Sequence, residues 1–287
     1  SAPSAIAIEV INRRPVPATI ETAEASGSHA EEIVIGPGER RRILVSGGQT
    51  LTSRDPRRRC LSRFVAEKMV ETWDITVDAG RDYEPRRVHW LTVYVAPEFR
   101  DHDPALLEAC LEVLGKGAER WERMVPAPAQ QALARTAVWL DYEPDSQAIG
   151  RYSSSRAWLI EHGKSSAREK SIQFFSSLSF LKGADVSPLM HELAHAYHDR
   201  VLGWSYRPVL EAYRRAAASG RYNGVSHSSG EHARAYALRD AREFFAELSE
   251  AYFGVNDYYP FTRDDLREFD PGSYRTIAEA WEKPQRQ

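Results

Sequence analysis

An α+β protein in two parts is what the sequence predicts: a small β-rich module over residues 1–82, followed by a larger mixed domain over 83–287. Three observations carry that expectation. Short β-type runs broken by turn residues fill the first part, and helix-length amphipathic segments with clear start and stop residues dominate the second. The chain of 287 residues, 42% hydrophobic and 28% charged, is also long enough for one large core or two smaller ones.

In the first part the runs are "AIAIEVI" (5–11), "EEIVI" (31–35) ended by "GPGE", "RRILV" (41–45) ended by "SGG", and "WDITV" (73–77). Their spacing resembles a small β-sandwich. "CLSRFVAEKMVE" (60–71) interrupts the pattern as a helix candidate, and the polar stretch "DAGRDYEPRR" (78–87) marks the boundary. Beyond it, "VHWLTVYVA" (88–96), "ARTAVWLDYE" (134–143), "RAWLIE" (156–161) and "KSIQFFSSLSF" (170–180) are strand candidates. Residues 103–125 form a helix candidate with Asp103 as N-cap and Pro104 in the first turn.

Composition removes several partners. Net charge is −3 and the isoelectric point about 6.3, so no basic field exists to attract phosphate, and no nucleic acid partner is expected. The one basic run, "RDPRRR" (54–59), fits a solvated turn. No apolar stretch approaches the roughly 20 residues of a membrane span, so no membrane association is expected. The opening "SAPSA" has the small-residue character left by leader removal, which gives a secreted or periplasmic location as the expectation. Cys60 and Cys110 suit one disulfide in such a compartment but are too few for a four-cysteine zinc site.

The chemistry enters with "HELAH" (191–195). Ser187 or Asp185 can cap a helix here, Pro188 fits its first turn, and Gly203 fits its end. Side chains four apart on a helix project from one face about 6 Å from each other. His191 and His195 can therefore converge on one ion, with Glu192 free to act as a base beside it. Five letters do not make a catalytic centre, because catalytic zinc has three protein ligands and an open position.

A third ligand is therefore required. A HExxHxxGxxH continuation is excluded, because His198 and Val201 stand at its glycine and last histidine positions. His198 itself would sit about 10 Å along an unbroken helix from His191, too far to share an ion, and reads as an outer partner or a surface residue. Asp199 is expected to pair with Arg200 or solvent. His227 and His232 lie in a Gly/Ser-rich loop and suit substrate contact better than rigid ligation. The remaining candidate is "DAREFFAELSEAYFG" (240–254), an amphipathic helix whose Glu243, Glu247 and Glu250 share one side while Phe244, Phe245 and Leu248 pack inward. A capping box from Asp240 to Glu243 explains the first of these carboxylates equally well, and spacing alone does not separate Glu243 from Glu247 as ligand.

"HELAH" followed by "EFFAE" resembles the gluzincin metallopeptidases with a long spacer, in particular the catalytic domain of anthrax lethal factor and its relatives. That resemblance covers residues 83–287, with specific motifs in 186–260, and implies a zincin-like domain with a small mixed sheet and active-site helices. It also implies that Glu243 is the third zinc ligand, that Glu247 orients a zinc-bound histidine, and that Tyr236, seven residues before the ligand, assists catalysis. The thermolysin spacer is absent, so thermolysin-like preference does not follow. The expected function is zinc-dependent hydrolysis of a peptide or protein substrate, with Glu192 as general base and Tyr236 as donor to the developing oxyanion. A substrate strand is expected along "KSIQFFSSL" or "RAWLIE", with Trp158, Tyr258 and Tyr259 shaping the pocket. Two other readings stay open: an inert zinc-containing binding protein, and a zinc hydrolase of non-peptide substrates.

Overall fold

The computed structural model describes residues 5–14, 16–22, 31–56, 58, 60–66, 70–75, 83–143, 146, 148–161, 166–175, 180–181 and 188–282. It is a mixed α+β protein with small sheets. The chain divides into two compact units, one of residues 1–83 with 155–169, the other of 84–154 with 170–287. The first boundary falls one residue beyond the expected position, and the segment 155–169 groups with the first unit rather than the second.

The first unit holds two sheets. β1 (Ala5–Asn12), β4 (Arg40–Ser46) and β7 (Val70–Ile75) form one in the order β4-β1-β7; β2 (Ala18–Thr22), β3 (Glu31–Ile35), β5 (Thr50–Arg54) and β6 (Cys60–Val65) form the other in the order β3-β2-β5-β6. In β2 and β5 alternate residues turn inward, as a pleated strand with one wet face demands, whereas the central strand β1 is buried on most of both faces. Ile8 and Val10 from one sheet thereby meet Ile20, Ile35 and Leu51 from the other in a single core. The two glycine signals are real turns: Glu39 N–H donates to Gly36 O at 3.1 Å and Gln49 N–H to Ser46 O at 3.0 Å. Gly38 and Gly48 there adopt φ of 70° and 79°, which favours glycine.

Two expectations are corrected in this unit. Residues 60–65 are a strand rather than a helix start, because Phe64 stacks on Trp73 at 5.4 Å and the strand pairs antiparallel with β5. "RAWLIE" is a helix, Arg156–Glu161, whose start is fixed by Ser155 Oγ accepting the Trp158 N–H at 3.2 Å. Arg168 joins the same segment to its unit, donating to the Tyr83 hydroxyl and lying over that ring.

The second unit is built on one five-stranded sheet, in the order β11-β12-β10-β9-β8, formed by β8 (Glu84–Val88), β9 (Leu91–Val95), β10 (Ala137–Asp141), β11 (Gly150–Ser153) and β12 (Ser171–Phe175). The pairs β9–β10 and β10–β12 are parallel, the outer two antiparallel. The run 88–96 is thus a hairpin end rather than one strand, turning at His89 with φ 55°. All five residues of β12 are buried and both its edges are paired, so this strand offers no edge to a substrate. Among the described strands the two edges of this sheet are β11 and β8.

Helices α1 (Pro97–His102), α2 (Pro104–Met124) and α3 (Ala127–Leu133) follow β9. Asp103 caps α2 as expected, its Oδ1 accepting the Leu106 N–H at 3.0 Å. Cys110 on α2 is a free, buried thiol that burial pushes up to about 12, where it stays protonated. The side chain of Cys60 lies outside the described residues. The C-terminal part supplies α4 (Pro188–Tyr197), α5 (Arg207–Ser219), α6 (Ala241–Phe253), α7 (Arg263–Phe269) and α8 (Pro271–Glu282).

The two helices that carry the motifs are the most buried. In α4 every residue but His191 is buried, and in α6 every residue from Phe244 to Phe253. Such all-round burial marks central helices. Trp281 of α8 locks them together: its ring stacks on Tyr197 at 4.1 Å and on Phe245 at 5.6 Å, and its Nε1–H donates to Ser249 Oγ at 2.9 Å. Removing a fully buried tryptophan typically costs about 3–5 kcal/mol, so this contact holds the geometry of the site firmly. No helix among the described residues is long and apolar enough to cross a membrane.

After Tyr197 the α4 helix widens into a π-helical turn, His198–Leu202, and stops at Gly203 with φ 79°. Residues 185 and 187, the expected caps, lie outside the described residues. The turn puts His198 in the core rather than on the surface: it is fully buried between Trp204 and Phe245, each ring centroid 4.9 Å away. Burial, with the charges of His195 and Arg242, pushes this imidazole down to about 3. An unfolded histidine titrates near 6.5, so between those values the unfolded chain binds a proton that the folded chain refuses. Stability is therefore expected to fall with pH below about 6.5, at up to about 1.4 kcal/mol per pH unit from this group. Urea unfolding of the metal-free chain and of His198→Leu at pH 7 and pH 4 checks this: the parent should lose more stability than the variant, and parallel losses would refute it.

Candidate metal centre

Helices α4 and α6 pack side by side and bring the two motifs face to face. His191 Nε2 lies 3.1 Å from His195 Nε2 and 3.2 Å from Glu243 Oε2, and His195 Nε2 lies 3.3 Å from that same oxygen. Three donor atoms from two helices thus form a nearly equilateral triangle, and this group could hold a metal ion. Residues 191 and 195 come together through helical spacing; Glu243 arrives only through the packing of α6. Asp240 does cap α6, accepting the N–H groups of Arg242 and Glu243 at 2.8 and 3.1 Å. The Glu243 carboxylate is nevertheless turned to the histidines.

The charges fit three convergent donors. Burial raises the Glu243 carboxyl, but hydrogen bonds from His191 and His195 outweigh it and hold the group below the usual carboxylate range. Burial opposes charge on His191 too, yet the carboxylates of Glu250 and Glu243 keep its ring well above the usual histidine value. A metal ion bound among these donors would supply positive charge where the surrounding carboxylates favour it.

The other nitrogen of His191 meets a second pair of acids. Nδ1 lies 2.9 Å from Glu250 Oε2 and 3.6 Å from Glu247 Oε1, a group that could also hold an ion. One imidazole serves both groups, so an ion on Nε2 leaves Nδ1–H as a donor, and Glu250 is the oxygen within reach to accept it. The resemblance implied this orienting role for Glu247, whose Oε1 lies 3.6 Å from the same nitrogen. The sequence placed both carboxylates on the same stripe, and only the rotation of α6 about its axis decides which one faces the ring. Glu250→Gln is expected to weaken metal binding by about 10–100-fold, the usual effect of losing such a partner. Competition against a chromogenic chelator measures it, and an unchanged affinity would remove the role.

Glu192 is 7% exposed and accepts the Tyr152 N–H from β11, which leaves its Oε2 without a hydrogen-bond partner. Burial raises its carboxyl, against the lowering charges of His191 and His195. Gly150, at the start of β11, is required by this packing: a Cβ there would lie 2.6 Å from the Phe174 ring and 3.2 Å from Glu192 Oε1. Tyr236 opens the short 3-10 turn before α6 and is exposed, with its hydroxyl accepting from Arg239. Burial and then the Glu243 charge raise this phenol, so it remains an O–H donor. Glu192 and Tyr236 border one cavity of about 360 Å³ together with His191, Glu247, Asp257 and Tyr258.

Among the other candidates, Asp199 accepts from the Tyr152 hydroxyl at 2.8 Å rather than pairing with Arg200, which donates to Thr136 Oγ1 at 2.7 Å. His227 packs at a tilt against Tyr258 of the cavity wall, ring centroids 4.6 Å apart, whereas His232 is exposed on a two-residue strand. Tyr259 packs against Phe261 and Phe269 and does not line the cavity. Trp158 belongs to the helix of the first unit. Sequence reasoning passed over Asp257 and Gly150; a lone aspartate in a turn and a lone glycine carry no periodic signal.

No protein-family model matches the chain, and no curated protein matches it.

Proposed function

We propose that this chain is a zinc-dependent peptidase of zincin-like fold, with His191, His195 and Glu243 as metal ligands. One observation carries the reading: donors arranged tetrahedrally at about 2.0–2.1 Å from zinc lie about 3.4 Å from one another, and the three atoms here are 3.1–3.3 Å apart. Two imidazoles and one carboxylate are also the set that leaves a fourth position open, as catalysis requires. The resemblance of the two motifs to gluzincins agrees with that donor set.

A zinc ion there supplies a Lewis acid that lowers the pKa of water toward about 7. The protein residues have separable tasks. Glu192, buried with one oxygen unpaired, takes the proton of the attacking water and later delivers it to the leaving amine. Tyr236 donates its O–H to the scissile carbonyl oxygen as negative charge grows there, a contribution of about 3–4 kcal/mol for a well-placed donor. The outer edge of β11, next to Gly150 and the cavity, is the place for an extended peptide to add as a strand alongside the Tyr152 N–H that Glu192 holds, in place of the two segments expected from the sequence.

The test is hydrolysis of denatured casein by the purified chain with stoichiometric zinc, then with excess chelator, then with zinc restored. Loss and recovery of cleavage are expected. Hydrolysis indifferent to the chelator, or none in any condition, rejects the reading.

A further inference from the structure

The cavity beside the metal donors has a chemical bias that hydrolysis alone does not use. Glu247, Glu250 and Asp257 all border it in addition to Glu192, and among the described residues no lysine or arginine does. Glu250 is committed to His191, and Glu247 turns one oxygen toward the same nitrogen. The other oxygen of Glu247, Oε2, has no hydrogen-bond partner although the residue is only 3% exposed. A carboxyl oxygen at that depth is costly until a donor reaches it. Asp257 stands further out, half-exposed, its carboxylate 3.6 Å from His227 Nε2, and the Tyr258 ring adds an aromatic wall. Arg239, beside Tyr236, is occupied with the Tyr236 hydroxyl and Glu243.

We propose that this cavity is a subsite for an organic cation of the substrate, an ammonium or guanidinium group, received by Glu247 and Asp257 against the face of Tyr258. The unpaired buried oxygen gives it a charge-assisted hydrogen bond, and the ring gives it a cation–π contact. Calling the ligand a substrate group rests on the peptidase reading; the preference for a cation does not. The cation has two possible sources, a lysine or arginine side chain beside the scissile bond and a free α-amino group at the end of the chain.

Two arms test it on the zinc-loaded full-length protein. In the first, n-pentylammonium chloride and 1-pentanol are titrated at neutral pH while the ring resonances of Tyr236 and Tyr258 are followed. Saturation is expected at about tenfold lower concentration for the ammonium, and Asp257→Asn should shrink that preference. Equal responses to both probes, or none to either, overturn the subsite. In the second arm, cuts in a denatured protein mixture are mapped by mass spectrometry before and after acetylation of its amines. Lysine or arginine beside the cuts identifies the side-chain source; cuts confined to free amino termini, and lost on acetylation, identify the α-amine. Cuts placed without regard to charge overturn the proposal. If nothing is cut but the ammonium preference holds, the peptidase reading fails and the cation site stands.

Discussion

Glu243→Ala is expected to lose the metal. The parent should bind one zinc ion per chain, and the variant should bind it far more weakly than the roughly 10–100-fold loss typical of removing an outer partner. The reason lies in the donor set. His191 and His195 present two nitrogens 3.1 Å apart, and Glu243 supplies both the third donor and the negative charge. Two imidazoles alone leave the ion half solvated and the site net positive. The same change leaves the partly buried His191 with Glu250 at 2.9 Å and Glu247 at 3.6 Å as its acids, one fewer than before, so the metal-free variant should also be less stable than the metal-free parent. Glu243→Asp, shorter by one methylene, should fall between the two. Competition against a chelator of known affinity, with metal content measured after dialysis, decides the matter; parent-like binding by Glu243→Ala would end the assignment of the third ligand.

Glu192→Gln separates the base from the ligands. The amide keeps the shape of the side chain and can still accept the Tyr152 N–H, so folding and zinc content should match the parent. What it cannot do is accept a proton. Hydrolysis is expected to drop by about 10²–10⁴-fold, the range for loss of a general base, with KM little changed because the residue does not anchor the substrate chain. Full activity in a variant that retains zinc would refute the role of Glu192. Loss of zinc together with activity would instead make Glu192 a structural member of the site.

Much of this centre could be read along the chain. Helical spacing alone put His191 and His195 on one face and Glu192 beside them, because four residues make little more than one turn. Phe244, Phe245 and Leu248 were legible as an inward stripe, and all three are fully buried. The strand runs and glycine turns of the first unit followed from period-two alternation and from backbone that only glycine adopts comfortably. "RAWLIE" and "CLSRFV" misled because a six-residue apolar run fits either element, and its partners, Ser155 as a cap or Trp73 as a stacking neighbour, decide between them.

The sequence by itself determined the local arrangement: two histidines one turn apart, a glutamate next to them, and a row of three carboxylates on another helix. Only the tertiary structure decided how those carboxylates divide their work. Packing around Trp281 fixes how α6 sits against α4, and so brings Glu243 to the two histidines and Glu250 to the far nitrogen of His191, and leaves one oxygen of Glu247 without a hydrogen-bond partner. The physical reason is range. Periodicity sets which residues share a face, but the rotation of one helix relative to another is set by side chains far away in the chain.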